Sequence, residues 1–326
     1  MRRLLLNDTS DYHNGCKAVV KSYQFDHSIK TKEIRLMNKI NYSEYDLVIL
    51  NGEGTMHDSG ITPMNFMRAL RNARNAGCEI QIHNTVWQNM VHDYDDVLKE
   101  CSEITVREVL SQREMQKHGV EAKIAPDRSV LIDVPYQEYE YNKVYQGQFL
   151  HCYDAPHEYY PRIDVFNQSW DEMVNRLRHS EVLITGRHHE MYAAIKARCR
   201  YIAEEGNTWK NRGIAETVGA TLPTTVDEAL SGEYDEEYKK IFDECFKPDR
   251  FEKYEYWINI GMVIKNTFTD INEALELFNY YSSKGKNYED WADKIGSTKY
   301  GGVGYATSPI YGELLKKIIK KYFKNS

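Results

Sequence analysis

Residues 47–60 read LVILNGEGTMHDSG, and the change of character halfway along decides the fold class. Leu47-Val48-Ile49-Leu50 is a continuous apolar run of strand length, the pattern of a strand covered on both faces. Gly52 and Gly54 then flank Glu53, with Thr55, His57 and Asp58 close behind. Glycine lets the backbone turn tightly and lets another molecule approach it closely. A plain strand exit uses one glycine and has no need of an acid between two. The expectation is that Gly52 and Gly54 clear a path by which substrate reaches Glu53.

The same alternation extends in both directions. RRLLLND reads as a strand and HNGCKAVVKSYQ as a loop leading into a helix. After the strand YDLVILNG comes a helix through MNFMRALRNARNAG, with Gly77 as its C-terminal stop. CEIQIHNTVW and EITVRE are further strands, VLSQREMQKHG is a helix ended by Gly119, and EAKIAPD is a fifth strand. Strands alternating with helices at this rhythm specify a parallel sheet with helices on both faces. The polar, tyrosine-rich VPYQEYEYNKVYQGQ interrupts the pattern as a candidate linker. FLHCYD (strand), WDEMVNRLRHS (helix), EVLITGRHHE (strand and loop), MYAAIKARC (helix) and RYIAEEGNTWK (strand and loop) then resume it. From about Asp227 the chain is mostly helical and charged. The expected fold is α/β: two Rossmann-like parallel-sheet domains, 1–143 and 144–326, facing a cleft, with a helical C-terminal region. Ligands of such sheets sit at the carboxyl ends of the strands.

Composition narrows the function classes. The 326 residues carry a net charge of -7 and are 41% hydrophobic, enough for a large core. The acidic balance, with no long basic block in the body of the chain, argues against a nucleic-acid partner. Six scattered cysteines without a CxxC pair read as reduced thiols of a cytoplasmic protein. MRRLLLND starts like a signal peptide but turns polar after three leucines. No apolar run reaches the roughly 18 residues of a membrane span. Tyrosine is abundant, 25 residues, and fits half-buried positions or stacking on sugars and bases.

Polar residues gather where strands end. Asn7-Asp8-Thr9, Gly52-Glu53-Gly54, Asn84-Thr85, Arg107-Glu108 and Pro126-Asp127-Arg128-Ser129 each follow a strand of the first half. Gly186-Arg187-His188-His189 and Gly206-Asn207-Thr208-Trp209-Lys210 do so in the second. Together they resemble the rim of an active site. Each also has a plainer reading. Asn7 and Asp8 suit a helix cap, Asn84-Thr85 a turn, and Asp127 a cap on the segment from Arg128. Arg107 with Glu108, like Arg113 with Glu114, suits a surface ion pair. His188 and His189 are adjacent, so on a regular element one of them faces the cleft. HExxH, GxSxG, GxGxxG and GxxxxGK[ST] are all absent, and no metal or cofactor is expected.

In this order the segments LLNDTS…HNGCKAV, LVILNGEGTMHD, HNTVW, ITVREVLSQREMQKHGVEAKIAPDRS and LITGRHHEMYAA…EEGNTWK resemble the polysaccharide pyruvyl transferase superfamily, over roughly residues 4 to 215. Arg187-His188-His189 stands where pyruvyl transferases carry Arg-Leu-His. The fuller pattern is similar to the branch containing bacterial retaining β-Kdo glycosyltransferases, which use CMP-Kdo in surface-polysaccharide synthesis. That resemblance implies a GT-B-like architecture, with the acceptor on the side of the first domain and the donor phosphate on the second. It implies Asp127 as nucleophile and Glu53 as the second active-site carboxylate.

Both chemistries build a ketal at C2 of a 2-keto acid from an anionic donor, either CMP-Kdo or phosphoenolpyruvate. Arg107, Arg128 and Arg187 suit the donor carboxylate through a bidentate fork, and Lys210 and His189 suit the phosphate. A retaining glycosyltransferase needs both acids; enolpyruvyl transfer needs a proton donor and no nucleophilic carboxylate. A third expectation is a sugar- or nucleotide-binding module without chemistry. The acceptor is expected to be a glycan, lipid-linked in one reading. The basic amphipathic tail PIYGELLKKIIKKYFKNS would then touch the inner face of the membrane, or else pack its apolar stripe on the fold.

Overall fold

The computed structural model describes residues 1–147, 160–232 and 235–245. In chain order come β1 (Arg3–Asp8), α1 (Asn14–Lys21), β2 (His27–Lys30), β3 (Leu47–Glu53), α2 (Ile61–Asn75) and β4 (Glu79–Thr85). There follow α3 (Asp95–Leu98), β5 (Glu103–Val106), α4 (Val109–Lys117) and β6 (Lys123–Ile124). A second run holds β7 (Val144–Gln146), α5 (Trp170–Arg178), β8 (Val182–Thr185) and α6 (His188–Ala197). It ends with β9 (Arg200–Ala203), α7 (Lys210–Val218), α8 (Val226–Leu230) and α9 (Asp235–Cys245).

Among the described residues all strand pairings are parallel. The chain is therefore an α/β protein with two parallel sheets, one six-stranded in the order β2-β1-β3-β4-β5-β6 and one three-stranded in the order β7-β8-β9. In the larger sheet the order turns back between β1 and β3. That switch point leaves a crevice outside the strand ends, where open parallel sheets take their ligands.

The period of two explains why the strands read as unbroken apolar runs. Leu4, Leu6, Val48, Leu50, Ile80 and Ile82 pack on one face of the sheet, with Phe66 and Leu70 of α2. Leu5, Leu47 and Ile49 pack on the other, against Val19 and Val20 of α1. A strand buried on both faces has no polar side to show. Truncating one of these side chains, as in Leu50→Ala, removes a contact worth about 2–5 kcal/mol. The glycine stops work as read: Gly77 follows α2 at φ +89° and Gly119 follows α4 at φ +68°.

Two strands differ from expectation. The edge strand β2 is only four residues, partly exposed and apolar at Ile29 alone, too weak a pattern to stand out. The first strand of the smaller sheet is Val144–Gln146, inside the stretch expected as linker. FLHCYD lies outside the described residues, as does the basic tail. Met1–Ile132 and Gln137–Cys245 make one compact unit that holds both sheets, and Asp133–Tyr136 belong to a second unit. Among the described residues, no helix is long and apolar enough to cross a membrane.

Candidate active site

Three neighbouring strands end in left-handed backbone: Asn7 of β1 at φ 65°, Glu53 of β3 at φ 49° and Asn84 of β4 at φ 56°. Asparagine tolerates this region, but for glutamate it costs of order 1–2 kcal/mol. Asn51, one turn of the pleat before Glu53, holds the three ends together. Its Nδ2 donates to the Asn7 carbonyl at 3.3 Å and to Glu53 Oε1 at 3.5 Å, and its Oδ1 accepts from Asn84 Nδ2 at 3.4 Å. Asn7 returns a bond from Nδ2 to the Asn51 carbonyl at 2.6 Å.

At this junction four charged groups close into a ring. Arg107, which follows β5 and is 1% exposed, donates Nε to the Asn84 carbonyl at 2.9 Å. Its two terminal nitrogens reach Glu53 Oε2 at 2.9 Å and Asp127 Oδ2 at 3.2 Å. His189 Nε2 meets the same two oxygens, at 3.3 Å each. Two carboxylates are thus balanced by a guanidinium and an imidazolium. Burial pushes the Glu53 carboxyl up, but His189 and Arg107 outweigh it and hold it at about 2. Asp127 is held well below the usual carboxylate range by the same pair against the same burial. Burial alone would strip the proton from His189; Asp127 and Glu53 instead hold it there well above the ordinary value.

The ring forms part of the floor of a cavity of about 620 Å³. Of the residues expected from sequence, Thr9, Glu53, Gly54, Thr55 and Arg107 line it from the larger sheet. Gly186, Arg187, His188, His189, Asn207 and Lys210 line it from the smaller one. His188 and His189, the first two residues of α6, both line it, not one of them. Burial, then Arg107, keeps the His188 imidazole neutral, with its pKa well below the ordinary value.

The other expected residues lie elsewhere. Asp127, expected as the nucleophile, is 0% exposed and does not line the cavity. Its Oδ1 accepts from the Ser129 amide at 2.9 Å, capping the turn that starts at Arg128, while Arg107 and His189 cover its Oδ2. The carboxylate that reaches the cavity is Glu53. Arg128 lies over the Tyr23 ring at 4.1 Å and donates to Ser22, outside the cavity lining. Asp8 accepts from Ser28 at 2.6 Å and from the Ser10 amide at 2.9 Å. His57 pairs with Asp58 at 2.8 Å, and Thr208 is buried outside the cavity lining. Glu108 is no surface partner of Arg107; it caps α4 through the Leu110 and Ser111 amides. Arg113 pairs with Glu216, and Glu114 with Lys117.

The glycines make room for the protein's own side chains. A β-carbon at Gly52 would stand 2.1 Å from Thr85 Oγ1, and one at Gly54 would stand 2.6 Å from Lys210 Nζ. The path to Glu53 is therefore packed at Gly52 by the adjoining strand and at Gly54 by an ammonium.

Asp11, Tyr12, His13, Cys16, Thr31, Lys32 and Asn211 also line the cavity. His13 caps α1, its Nδ1 accepting from the Cys16 amide at 3.4 Å and its Nε2 lying 3.5 Å from Cys16 Sγ. Burial, then the charge on His189, pushes His13 down to about 3. HNGCKAV reads only as a loop leading into a helix, and nothing local says that this helix start faces a cavity. Donor atoms of His13, Cys16 and His189, and of Glu53, Asp127 and His189, lie within 4.8 Å of one another. In the second group Arg107 already occupies the place a cation would take, and in the first the His13 nitrogen that caps α1 leaves Nε2 carrying the proton.

The family Primase C terminal 2 (PriCT-2) matches residues 244–308, a stretch almost wholly outside the described residues and apart from the segments that carry the pyruvyl transferase resemblance. No curated protein matches the chain. Among solved structures, a functionally uncharacterized protein from Klebsiella pneumoniae is similar at 16% identity and a TM-score of 0.46, over 66% of this chain and 87% of that one. The glycosyltransferase SnogD from Streptomyces nogalater is similar at 9% identity and 0.35, over 75% and 94%. The spinosyn rhamnosyltransferase SpnG is similar at 10% and 0.32, over 88% and 98%. Likeness at this level bears on neither activity nor ligand.

Proposed function

We propose that this chain is a transferase that forms a ketal at C2 of an anionic 2-keto acid donor. The observation that carries the reading is the charge ring, which presents one carboxylate, Glu53, and one imidazolium, His189, to a cavity walled by Arg187 and Lys210. Arg187 keeps its Nε without a partner, so its fork is available to a carboxylate or phosphate. Positive charge on that wall also stabilises a departing phosphate.

In the glycosyl reading the donor is a CMP-activated ulosonic acid of the Kdo type, and configuration is retained by double displacement. Glu53, the carboxylate with access, attacks C2 while His189 gives its proton to the departing phosphate. The ester removes one of the two charges that held this proton, so the neutral imidazole can take the proton of the acceptor hydroxyl in the second step. Asp127 is then a positioning residue that keeps Arg107 and His189 in place. The seclusion of Asp127 equally favours a second reading, pyruvyl transfer from phosphoenolpyruvate. There His189 protonates the methylene carbon and one acceptor hydroxyl adds at C2, returning its proton to the imidazole; phosphate then leaves and a second hydroxyl of the same acceptor closes the ketal, its proton going to the departing phosphate. In both readings the acceptor is a glycan hydroxyl.

Incubation with each donor and a panel of surface-glycan acceptors tests the proposal. Release of CMP that Glu53→Gln abolishes supports the glycosyl reading, and release of phosphate from phosphoenolpyruvate supports the pyruvyl one. Donor binding with release of neither product across the panel overturns transfer in favour of a binding module.

A further inference from the structure

Lys210 opens α7 and sends its ammonium to a point 2.6 Å from where a β-carbon of residue 54 would stand, a place only glycine leaves vacant. Its one hydrogen bond among the described residues is to Asn207 Oδ1 at 3.3 Å. The carboxylate of the cavity floor, Glu53, is already engaged by Arg107 and His189. Lys210 is thus a cavity-lining amine without an ion-pair partner among the described residues and within the field of a buried arginine. Burial first, and Arg107 next, push it down to about 8. Desolvation beside a second cation is the setting in which a lysine amine becomes a nucleophile near neutral pH.

We propose that Lys210 is a carbonyl-capturing amine, condensing with the keto group of a 2-keto acid held in this cavity to form an imine. The choice of a 2-keto acid rests on the transferase reading above, the captured form being the free keto acid because C2 of either activated donor is not a ketone; the nucleophilic amine rests on the placement of Lys210. The unprotonated amine adds to the carbonyl carbon and the carbinolamine loses water, so the step needs no oxidant or reductant. Arg187, on the same cavity, supplies the fork for the acid's carboxylate.

The experiment adds pyruvate to the full chain, reduces with borohydride, and maps the product by intact-mass and peptide mass spectrometry. The expected result is one reduced pyruvyl adduct per chain, on the peptide that contains Lys210, saturable with pyruvate. Lys210→Arg should lower incorporation about tenfold. If that variant does not fold, the peptide map of the natural chain decides alone. Labelling spread over surface lysines, or no greater than in the urea-unfolded chain, overturns the inference. Should an activated donor still raise the melting temperature while Lys210 stays unlabelled, the inference fails and the transferase reading survives. Labelling of Lys210 without binding of any activated donor upholds the inference and removes the transferase reading.

Discussion

Glu53 and Asp127 meet at a single imidazole nitrogen, His189 Nε2, 3.3 Å from an oxygen of each, and Arg107 clasps the same two oxygens from the other side. The carboxylates are alike in charge and partners but unequal in access. Glu53 lines the cavity, whereas Asp127 is sealed beneath it. Their substitutions should therefore separate.

Asp127→Asn keeps the volume and removes one charge from the ring. Removing one partner of a buried pair typically costs about 3–5 kcal/mol, so urea unfolding should show a loss of that order. Donor affinity should change little, because Asp127 does not touch the cavity, while turnover drops by about a hundredfold or more through the displaced His189. Unchanged stability would mean that the ring is not closed in solution.

The pH dependence has two limbs of opposite origin. His189 holds its proton well above the ordinary 6.5. Its contribution is full below that value and is lost as pH rises through the folded value. His13, down to about 3, and His188, well below 6.5, are buried neutral. Below pH 6.5 the unfolded chain binds protons that these two refuse, so stability falls on acidification. The slope is at most about 1.4 kcal/mol per pH unit for each. Glu53, at about 2 against an ordinary 4.5, adds its own loss only below that ordinary value. His83, also lowered by burial, adds to the same limb, so urea midpoints at pH 5, 6 and 7 should rise with pH, and His188→Gln should reduce the slope without abolishing it. A flat profile would contradict the burial of both histidines as neutral groups.

The two glycines around Glu53 should respond differently to a methyl group. Gly52→Ala meets Thr85 Cβ at 2.3 Å and backbone Cα at 3.0 Å, which overpacks two adjoining strands and should cost about 1–3 kcal/mol. Gly54→Ala meets the end of a flexible lysine, so stability should shift by less than about 0.5 kcal/mol. Displacing Lys210 should nonetheless weaken binding of anionic ligands. Calorimetric unfolding and anion titration of both variants check the contrast.

Much of this architecture was legible in the chain. Leu47–Leu50 announced a strand buried on both faces, and Gly77 and Gly119 marked helix ends. The alternation of the two element types specified parallel sheets, and with them the end at which ligands collect. What stayed hidden depends on tertiary neighbours. Whether a strand-end acid faces solvent, a cavity or a cation cannot be read from its own segment, which is why Asp127 looked as accessible as Glu53. Arg107 and Glu108 looked like an ion pair until the sheet turned one into the ring and the other onto the start of α4. His13 and Cys16 carried only a helix-start signal. Val144–Gln146 was masked by the polar tyrosines and glutamates on either side.

The central claim is that the charge ring and Arg187 together make a site for an activated 2-keto acid. Isothermal titration of the natural chain and of Arg187→Gln with phosphoenolpyruvate and CMP-Kdo, against cytidine and pyranose controls, tests it most directly. The account predicts saturable binding of at least one of the two anionic donors, weakened about tenfold or more by Arg187→Gln, with the uncharged controls inert. Absence of binding by both donors, or binding that the Arg187 substitution leaves untouched, would contradict it.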